Sequence, residues 1–369
     1  MIGTLPPSPC APRSSADNKP TRVAIRGIAG LLGSRLAMAI SKNPDMELTV
    51  GIAKSDRTLT EALRTMAPLS ENIRQGALAK QMFLDNKHKE VSKINSSQNI
   101  VEFREADQLN LSKECDVIVD ATSPGGSIFW MERYASSGLP VILQSGEYPR
   151  GDLIAPPIVK QSINGKIFRQ GDCVLSGLVP VLAHLEPLSA KLTMHILTQY
   201  TEKLNDYTTD ERLGAVYIRD DVREEVRNGF SMLFPEARIE LVGVSQASGL
   251  SYYTANVLLE AKYPISGVDL GELLSGKPRM RVVPSVESTY EISHFHKERA
   301  QAFGGQLPPI TVFGTDLLSR DKQTLFRIGV AIDYRFIAIL PNIDAIRILA
   351  KGIDGEASMR ITDKNMGFY

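Results

Sequence analysis

The stretch Arg22-Val-Ala-Ile-Arg26-Gly27-Ile-Ala-Gly30-Leu-Leu-Gly33 decides the fold. Its first five residues read as a short buried strand, Gly27 to Gly33 as a tight turn, and Ser34 to Lys42 as the helix that follows. A strand, glycine loop, helix unit places backbone without side chains where a pyrophosphate approaches a helix N-terminus and where helix and strand pack closely. The glycine spacing is GxxGxxG, not GxGxxG, so the loop is a weak signal alone. A second strand at the right distance, Met46-Glu-Leu-Thr-Val-Gly-Ile-Ala53, strengthens it.

That second strand also bears on the cofactor. An NAD-preferring protein usually carries an acid at its end to bind the ribose 2′-hydroxyl. Here Ala53 stands there, followed by Lys54, Ser55, Asp56 and Arg57. Lys54, Ser55 and Arg57 suit a 2′-phosphate and point to NADP, while Asp56 keeps NAD open. The plain alternative is a solvated charged turn. Thr60 to Asn110 gives no element that can be placed individually.

Further along, Cys115 to Thr122 reads as another buried strand that ends at the turn Ser123-Pro-Gly-Gly126, and Leu139 to Glu147 holds one more. Strands alternating with helices imply a doubly wound parallel sheet with ligands beyond the strands' carboxyl ends, where Ala121 to Gly126 and Gln144 fall.

Cys173 lies where the β-rich segment Lys166 to Asp172 meets the apolar helical segment Ser176 to Leu185. A thiol at a helix N-terminus feels the positive end of the helix dipole, which favours the nucleophilic thiolate. A buried structural cysteine is the equally available reading, since free cysteine is among the most buried residue types.

Composition bounds the rest. A chain of 369 residues, 43% hydrophobic, has room for about two domains. Lysine plus arginine equals aspartate plus glutamate at 42 each, so no net field draws it to nucleic acid or an anionic membrane. No uninterrupted apolar stretch approaches the ~20 residues that span a bilayer. Three cysteines, at positions 10, 115 and 173, form no disulfide framework or zinc spacing, which suits a reducing cytoplasm and no metal. Residues 1–21, rich in Pro and Ser and without an apolar run, are expected to be a disordered tail.

Together the residues resemble the archaeal-type (type II) glyceraldehyde-3-phosphate dehydrogenases, as a divergent member. The matching stretches are Val119-Asp-Ala-Thr-Ser-Pro-Gly-Gly126, Val141-Ile-Leu-Gln-Ser-Gly-Glu147, Cys173-Val-Leu-Ser-Gly-Leu178, Pro341-Asn-Ile-Asp-Ala-Ile-Arg347 and Thr362-Asp-Lys-Asn-Met-Gly367. The resemblance implies an α/β protein: an N-terminal Rossmann domain over 22–172, an α/β catalytic and oligomerisation domain over 173–336, and a C-terminal helix in 337–369 returning to the Rossmann domain. It implies NADP, or NAD, held by Gly27, Ala29, Gly30, Leu31, Leu32, Gly33, Thr122, Gly125 and Gly126, with Ala121, Ser123 and Gln144 beside them and Asn342 facing the nicotinamide carboxamide. It implies Cys173 as a nucleophile passing through a thiohemiacetal and a thioester, a small-molecule substrate, and a homotetramer. Ile239 to Val244 and Phe326 to Ile332 are the expected apolar interface strands.

Two departures mark the chain. The family's His-His-Gly-Pro-Asp base motif corresponds to Glu225 to Phe234, which holds no histidine; His88, His184, His195, His294 and His296 lie elsewhere. The family's phosphate-binding arginines are missing from Ile196 to Glu202, so Arg169, Arg212, Arg223 or Arg227 would have to compensate. An altered substrate without a terminal phosphate is therefore expected. Two further readings stay open: a non-covalent NADPH-dependent reductase, since the first strand, its loop and the Asp-Ala-Thr-Ser-Pro turn also look like dihydrodipicolinate reductase, and a catalytically silent nucleotide-binding relative.

Overall fold

The computed structural model describes residues 19–28, 30–53, 90–95, 100–105, 109–122, 125–144, 147, 150–159, 166–200, 216–218, 220–248, 252–283, 308–318 and 324–368. The first sheet begins with β1 (Thr21–Arg26), followed by α1 (Leu31–Ser41) and β2 (Met46–Ala53). Next come β3 (Glu90–Asn95), β4 (Ile100–Glu105), β5 (Val117–Asp120), α2 (Met131–Ser137) and β6 (Val141–Leu143). β7 (Asp152–Ile154) and β8 (Ile167–Gln170) complete it. The strand order is β4-β3-β2-β1-β5-β6-β8-β7, parallel from β2 to β7 and antiparallel where β3 and β4 are added. β3 and β4 fall in the region that sequence left unassigned.

The second half starts at α3 (Cys173–Leu185), which leads into β9 (Ser189–Tyr200), β10 (Val216–Ile218) and α4 (Asp220–Leu233). It continues through β11 (Ile239–Ser248), β12 (Tyr252–Ala261), α5 (Gly267–Leu274), β13 (Met280–Val283), β14 (Ile310–Leu317) and β15 (Leu325–Asp333). These strands make a mixed sheet in the order β10-β11-β9-β12-β15-β14-β13. Alternate residues of β9, β11, β12 and β15, among them Leu192, Met194, Ile196, Leu241, Tyr253, Val257, Ile328 and Val330, bury one face against the apolar helix α3. Burial of these side chains, at ~1.5–3 kcal/mol each, is what holds α3 on the sheet.

The expected interface strands mainly feed this core. Leu241, Val244, Phe326, Ile328, Val330 and Ile332 are all buried in it, and Val242, the extra residue where the β11–β9 register shifts between Leu241 and Gly243, stands 55% exposed. The chain then returns to the first sheet as two helices, not one: α6 (Leu340–Lys351) and α7 (Gly355–Met366). Gly352, at φ 65°, stops α6 with a left-handed cap, and Asp354 starts α7 by accepting from the Ala357 amide. α6 buries Leu340, Ile343 and Ile346 against Val23, Ile25, Val119 and Ile142 of the first sheet.

Candidate active site

The parallel run β1-β5-β6-β8 delivers four chain crossings to one edge. Gly27 follows β1, Ala121 and Thr122 follow β5, Gln144 follows β6, and Gly171 to Cys173 follow β8. This is the carboxyl edge, where open α/β sheets bind ligands.

The glycine loop is built by close approach. Gly27 has φ 80°, and a Cβ there would stand 2.7 Å from the Ala121 carbonyl oxygen. A Cβ on Gly33 would stand 2.2 Å from the Gly27 carbonyl oxygen. Gly30 precedes α1 and offers no side-chain cap, and the first amides of a helix are the ones that suit an anion. The facing turn is held by a buried polar cluster. Arg26 Nη1 donates to Asp120 Oδ2 at 2.8 Å and to the Gly126 carbonyl at 3.0 Å, while Asp120 Oδ1 accepts from the Thr122 hydroxyl at 2.6 Å. Tyr134 donates to the same aspartate at 2.7 Å. A Cβ on Gly126 would stand 2.5 Å from Thr122 Oγ1. Buried Glu147 accepts from the Ser127 amide and hydroxyl, pinning the next turn. These are the crowded, side-chain-free surfaces that a dinucleotide pyrophosphate requires, so the described residues fit such a cofactor.

Gln144 and Asn342 lie 198 positions apart and meet here. Gln144 Nε2 donates to Asn342 Oδ1 at 3.0 Å, and Asn342 Nδ2 donates back to Gln144 Oε1 at 3.3 Å. Ala121, Thr122, Gly125 and Gly126 share this edge, and Leu32 packs against the core under α6. Ala29, Lys54, Ser55, Arg57 and Ser123 lie outside the described residues, as do His88, Arg212, His294 and His296; of Leu31 only the helical backbone is described.

Cys173 occupies the first position of α3, three residues earlier than the sequence placed the helix start, because Asp172 caps it by accepting from the Leu175 amide at 2.7 Å. Its sulfur lies 2.5 Å from the hydroxyl of Tyr253 on β12. Tyr253 is buried, at 1% exposure. Burial pushes the Asp172 carboxyl up to about 7; the Leu175 and Val174 amides and Arg169 oppose this, and the nearby charge of Glu225 adds to it. Arg169, also buried, pairs with Glu225 at 3.4 Å. Glu225 comes from α4, the segment that replaces the family's base motif. α4 lies so close to α3 that a Cβ on Gly229 would meet Leu175 Cδ1 at 2.3 Å. The thiol thus has the Tyr253 hydroxyl beside it, and the residue that precedes it, Asp172, belongs to a cluster with Arg169 and Glu225.

Of the five histidines only His184 and His195 lie among the described residues, and the group beside the thiol is the Tyr253 hydroxyl. His184 sits at the far end of α3, and His195 lies on the exposed face of β9, not packed in the core as its apolar neighbours suggest, because Met194 and Ile196 take the inward positions. Arg223 and Arg227 lie on α4, half-buried and exposed. Sequence reasoning missed Tyr253, Asp172, Glu225, Arg26, Asp120 and Glu147. Tyr253 alternates among strand residues like any core aromatic, so nothing local signals it. Among the described residues there is no group of three or more His, Cys, Asp or Glu that could hold a metal, and no helix is long and apolar enough to cross a membrane.

Comparison with known proteins agrees with the geometry. Residues 21–145 match the family described as dihydrodipicolinate reductase, N-terminus. The chain is 22% identical to a glyceraldehyde-3-phosphate dehydrogenase of Metallosphaera sedula, over 94% of this chain and 97% of that one. It is 23% identical to the protein of the same name from Saccharolobus solfataricus, with the same two coverages. Among solved structures it is similar to aspartate semialdehyde dehydrogenase II of Vibrio cholerae complexed with ASA, at a TM-score of 0.61 and 11% identity over 89% of this chain and 99% of that one. It is also similar to the aspartate semialdehyde dehydrogenase with NADP of Candida albicans, at a TM-score of 0.56 and 12% identity over 94% and 99%. The chain is therefore similar over nearly its whole length to archaeal glyceraldehyde-3-phosphate dehydrogenases, and it shares the fold of its solved neighbours.

Proposed function

We propose that this divergent relative of the archaeal dehydrogenases is a nicotinamide-dependent oxidoreductase acting on an aldehyde or activated acyl group through Cys173. The observation that carries the reading is the Tyr253 hydroxyl 2.5 Å from the sulfur of Cys173, a residue that follows β8 at the same carboxyl edge as the glycine loop after β1. NADP is the preferred cofactor on the strength of Lys54, Ser55 and Arg57, held otherwise by Gly27 to Gly33, Ala121 to Gly126, Gln144 and Asn342. Such a dinucleotide supplies the hydride acceptor, or in reverse the donor. The working domain division is 22–172, 173–336 and 337–369, and the assembly a homo-oligomer.

Cys173 Sγ forms the bond to the carbonyl carbon, as a thiolate that accepts from Tyr253. The carbonyl oxygen then takes the negative charge, and the same hydroxyl is the nearest donor to stabilise it and hold its proton. The carbon is a thiohemiacetal in its reduced state and a thioester in its oxidised state, the two electrons between them leaving as a hydride for the dinucleotide. Attack by water or another acyl acceptor on the thioester would release the acyl group and free the thiol. The substrate should lack a terminal phosphate, since Arg169 is engaged with Glu225 and the arginines expected on β9 are absent.

The test is turnover of phosphorylated and unphosphorylated aldehydes with NADP and NAD, on the native protein and on Cys173→Ala. We expect unphosphorylated aldehydes to be preferred, NADP to be preferred, and Cys173→Ala to be inactive. Retained hydride transfer in Cys173→Ala would favour the non-covalent reductase reading, to which the match over 21–145 lends support. Cofactor binding without turnover of any carbonyl substrate would favour the silent relative.

A further inference from the structure

Phe168 and Gln170 share one face of β8. Phe168 pairs in register with Ile142, and Gln170 with Ile154; those three apolar residues belong to the core beneath α6. Gln170 is 3% exposed, yet its side-chain oxygen has no hydrogen-bond partner. Buried polar atoms are nearly always satisfied, because nothing else repays their desolvation. An orphaned acceptor beside a ligand-binding edge marks where a ligand's donor belongs.

Its surroundings say which donor. The β6–β8 pairing ends at Leu143 and Arg169, so Gln144, just past β6, and Gln170, the last residue of β8, stand level with each other one residue further on. Leu143 faces the opposite core, which turns Gln144 toward α6, where it exchanges hydrogen bonds with Asn342. Gln170 emerges on that same face, three residues before Cys173. A wall of three carboxamides results, two satisfied by each other and one not. A neutral, planar N–H donor next to an apolar surface fits the vacant acceptor, and a primary amide on an aromatic ring has that chemistry.

We infer that Gln170 recognises the carboxamide of the nicotinamide ring, its side-chain oxygen accepting one amide N–H and so fixing the ring beside Cys173. The inference rests on the dinucleotide reading above and assigns a residue within that site. Gln170→Met keeps the length of the side chain and removes the acceptor. Dissociation constants are measured by calorimetry for three ligands on the native protein and the variant: NADP, its 3-acetylpyridine analogue, which lacks the amide N–H, and 2′-phospho-ADP-ribose, which lacks the ring.

The native protein should prefer NADP over the acetylpyridine analogue by about three- to tenfold, the value of one ordinary hydrogen bond. In Gln170→Met that ratio should fall toward one, with binding of 2′-phospho-ADP-ribose unchanged and the thermal midpoint maintained. An unchanged ratio, or equal weakening of all three ligands, would overturn the assignment, the second showing a purely structural role. Failure of the native protein to bind any of the three, or NAD and ADP-ribose in their place, would overturn the dinucleotide reading and this inference with it.

Discussion

Tyr253 and Cys173 stand 80 positions apart in the chain and touch through their polar atoms. A thiol with a phenol as its neighbour depends on that phenol for the stability of its anion, because the surrounding core of α3 and β12 offers little other hydration. Tyr253→Phe should therefore slow alkylation of Cys173 by iodoacetamide near neutral pH, and should lower kcat by ~10²–10⁴ if the hydroxyl moves a proton in turnover. Cys10→Ser in all variants removes the third thiol, and Cys173→Ala in the same labelling experiment then identifies the reacting one, since Cys115 is buried with its own thiol pushed up to about 12 by that burial. Equal alkylation rates for native protein and Tyr253→Phe would remove the tyrosine from the mechanism. Cys173 was legible in the sequence as a thiol at a helix start. Its partner was not, because an aromatic residue in an alternating strand carries no mark of what lies opposite.

At the scale of elements, the start of α3 and the glycine loop are the points where sequence and geometry bind most tightly. Asp172 caps α3 while fully buried, and its carboxyl lies above the ordinary value of 3.8, at about 7. The native state therefore holds a proton there that the unfolded chain releases, and stability falls as pH rises between about 4 and 7. Asp172→Asn keeps a capping oxygen and removes the titration. Denaturant unfolding should show the variant gaining on the native protein by a few kcal/mol between pH 4.5 and 8, the order set by ~1.4 kcal/mol per pKa unit. A constant difference across that range would show that the carboxyl titrates normally. In the loop, Gly33→Ala forces a methyl against the Gly27 carbonyl, which is backbone and has no side-chain freedom to yield. Overpacking of that kind costs ~1–3 kcal/mol. Its signature should be a lower thermal midpoint together with weakened dinucleotide binding, whereas a neutral effect on both would contradict the packed loop.

At the scale of the whole molecule, a buried ionic network ties the C-terminal helices to both sheets. Arg347 on α6 is fully buried and donates to Asp45 and Asn43 between α1 and β2, and to Ser358 and Thr362 on α7. Arg279, just before β13 and at φ 64°, pairs with Asp344 on α6 and Asp363 on α7. Burial pushes the Asp363 carboxyl up to about 6 and raises Asp344 as well, with Arg279 opposing both shifts. Removing one member leaves charge buried without its counterpart, which costs ~3–5 kcal/mol. In Arg347→Met, by contrast, Asp45, 27% exposed and 3.9 Å from Lys351, keeps part of its compensation. Asn43, Ser358 and Thr362 are left without this donor, so the variant should lose ~1–3 kcal/mol in denaturant unfolding. A loss below about 1 kcal/mol would show that the network contributes little.

The sequence by itself determined the parallel sheet, its glycine loop and the cysteine at a helix start. Each of those is written in local order: apolar runs alternating with helical ones, glycines at fixed spacing, a cysteine where a β-rich segment meets an apolar helical one. The tertiary structure alone decided what stands beside the thiol, how Gln144 meets Asn342, why Gln170 lacks a partner, and that the C-terminal segment breaks into two helices locked by Arg279 and Arg347. Those contacts join residues tens to hundreds of positions apart. They follow from which strand lies next to which in a sheet, and side-chain pattern along one strand does not encode its neighbour.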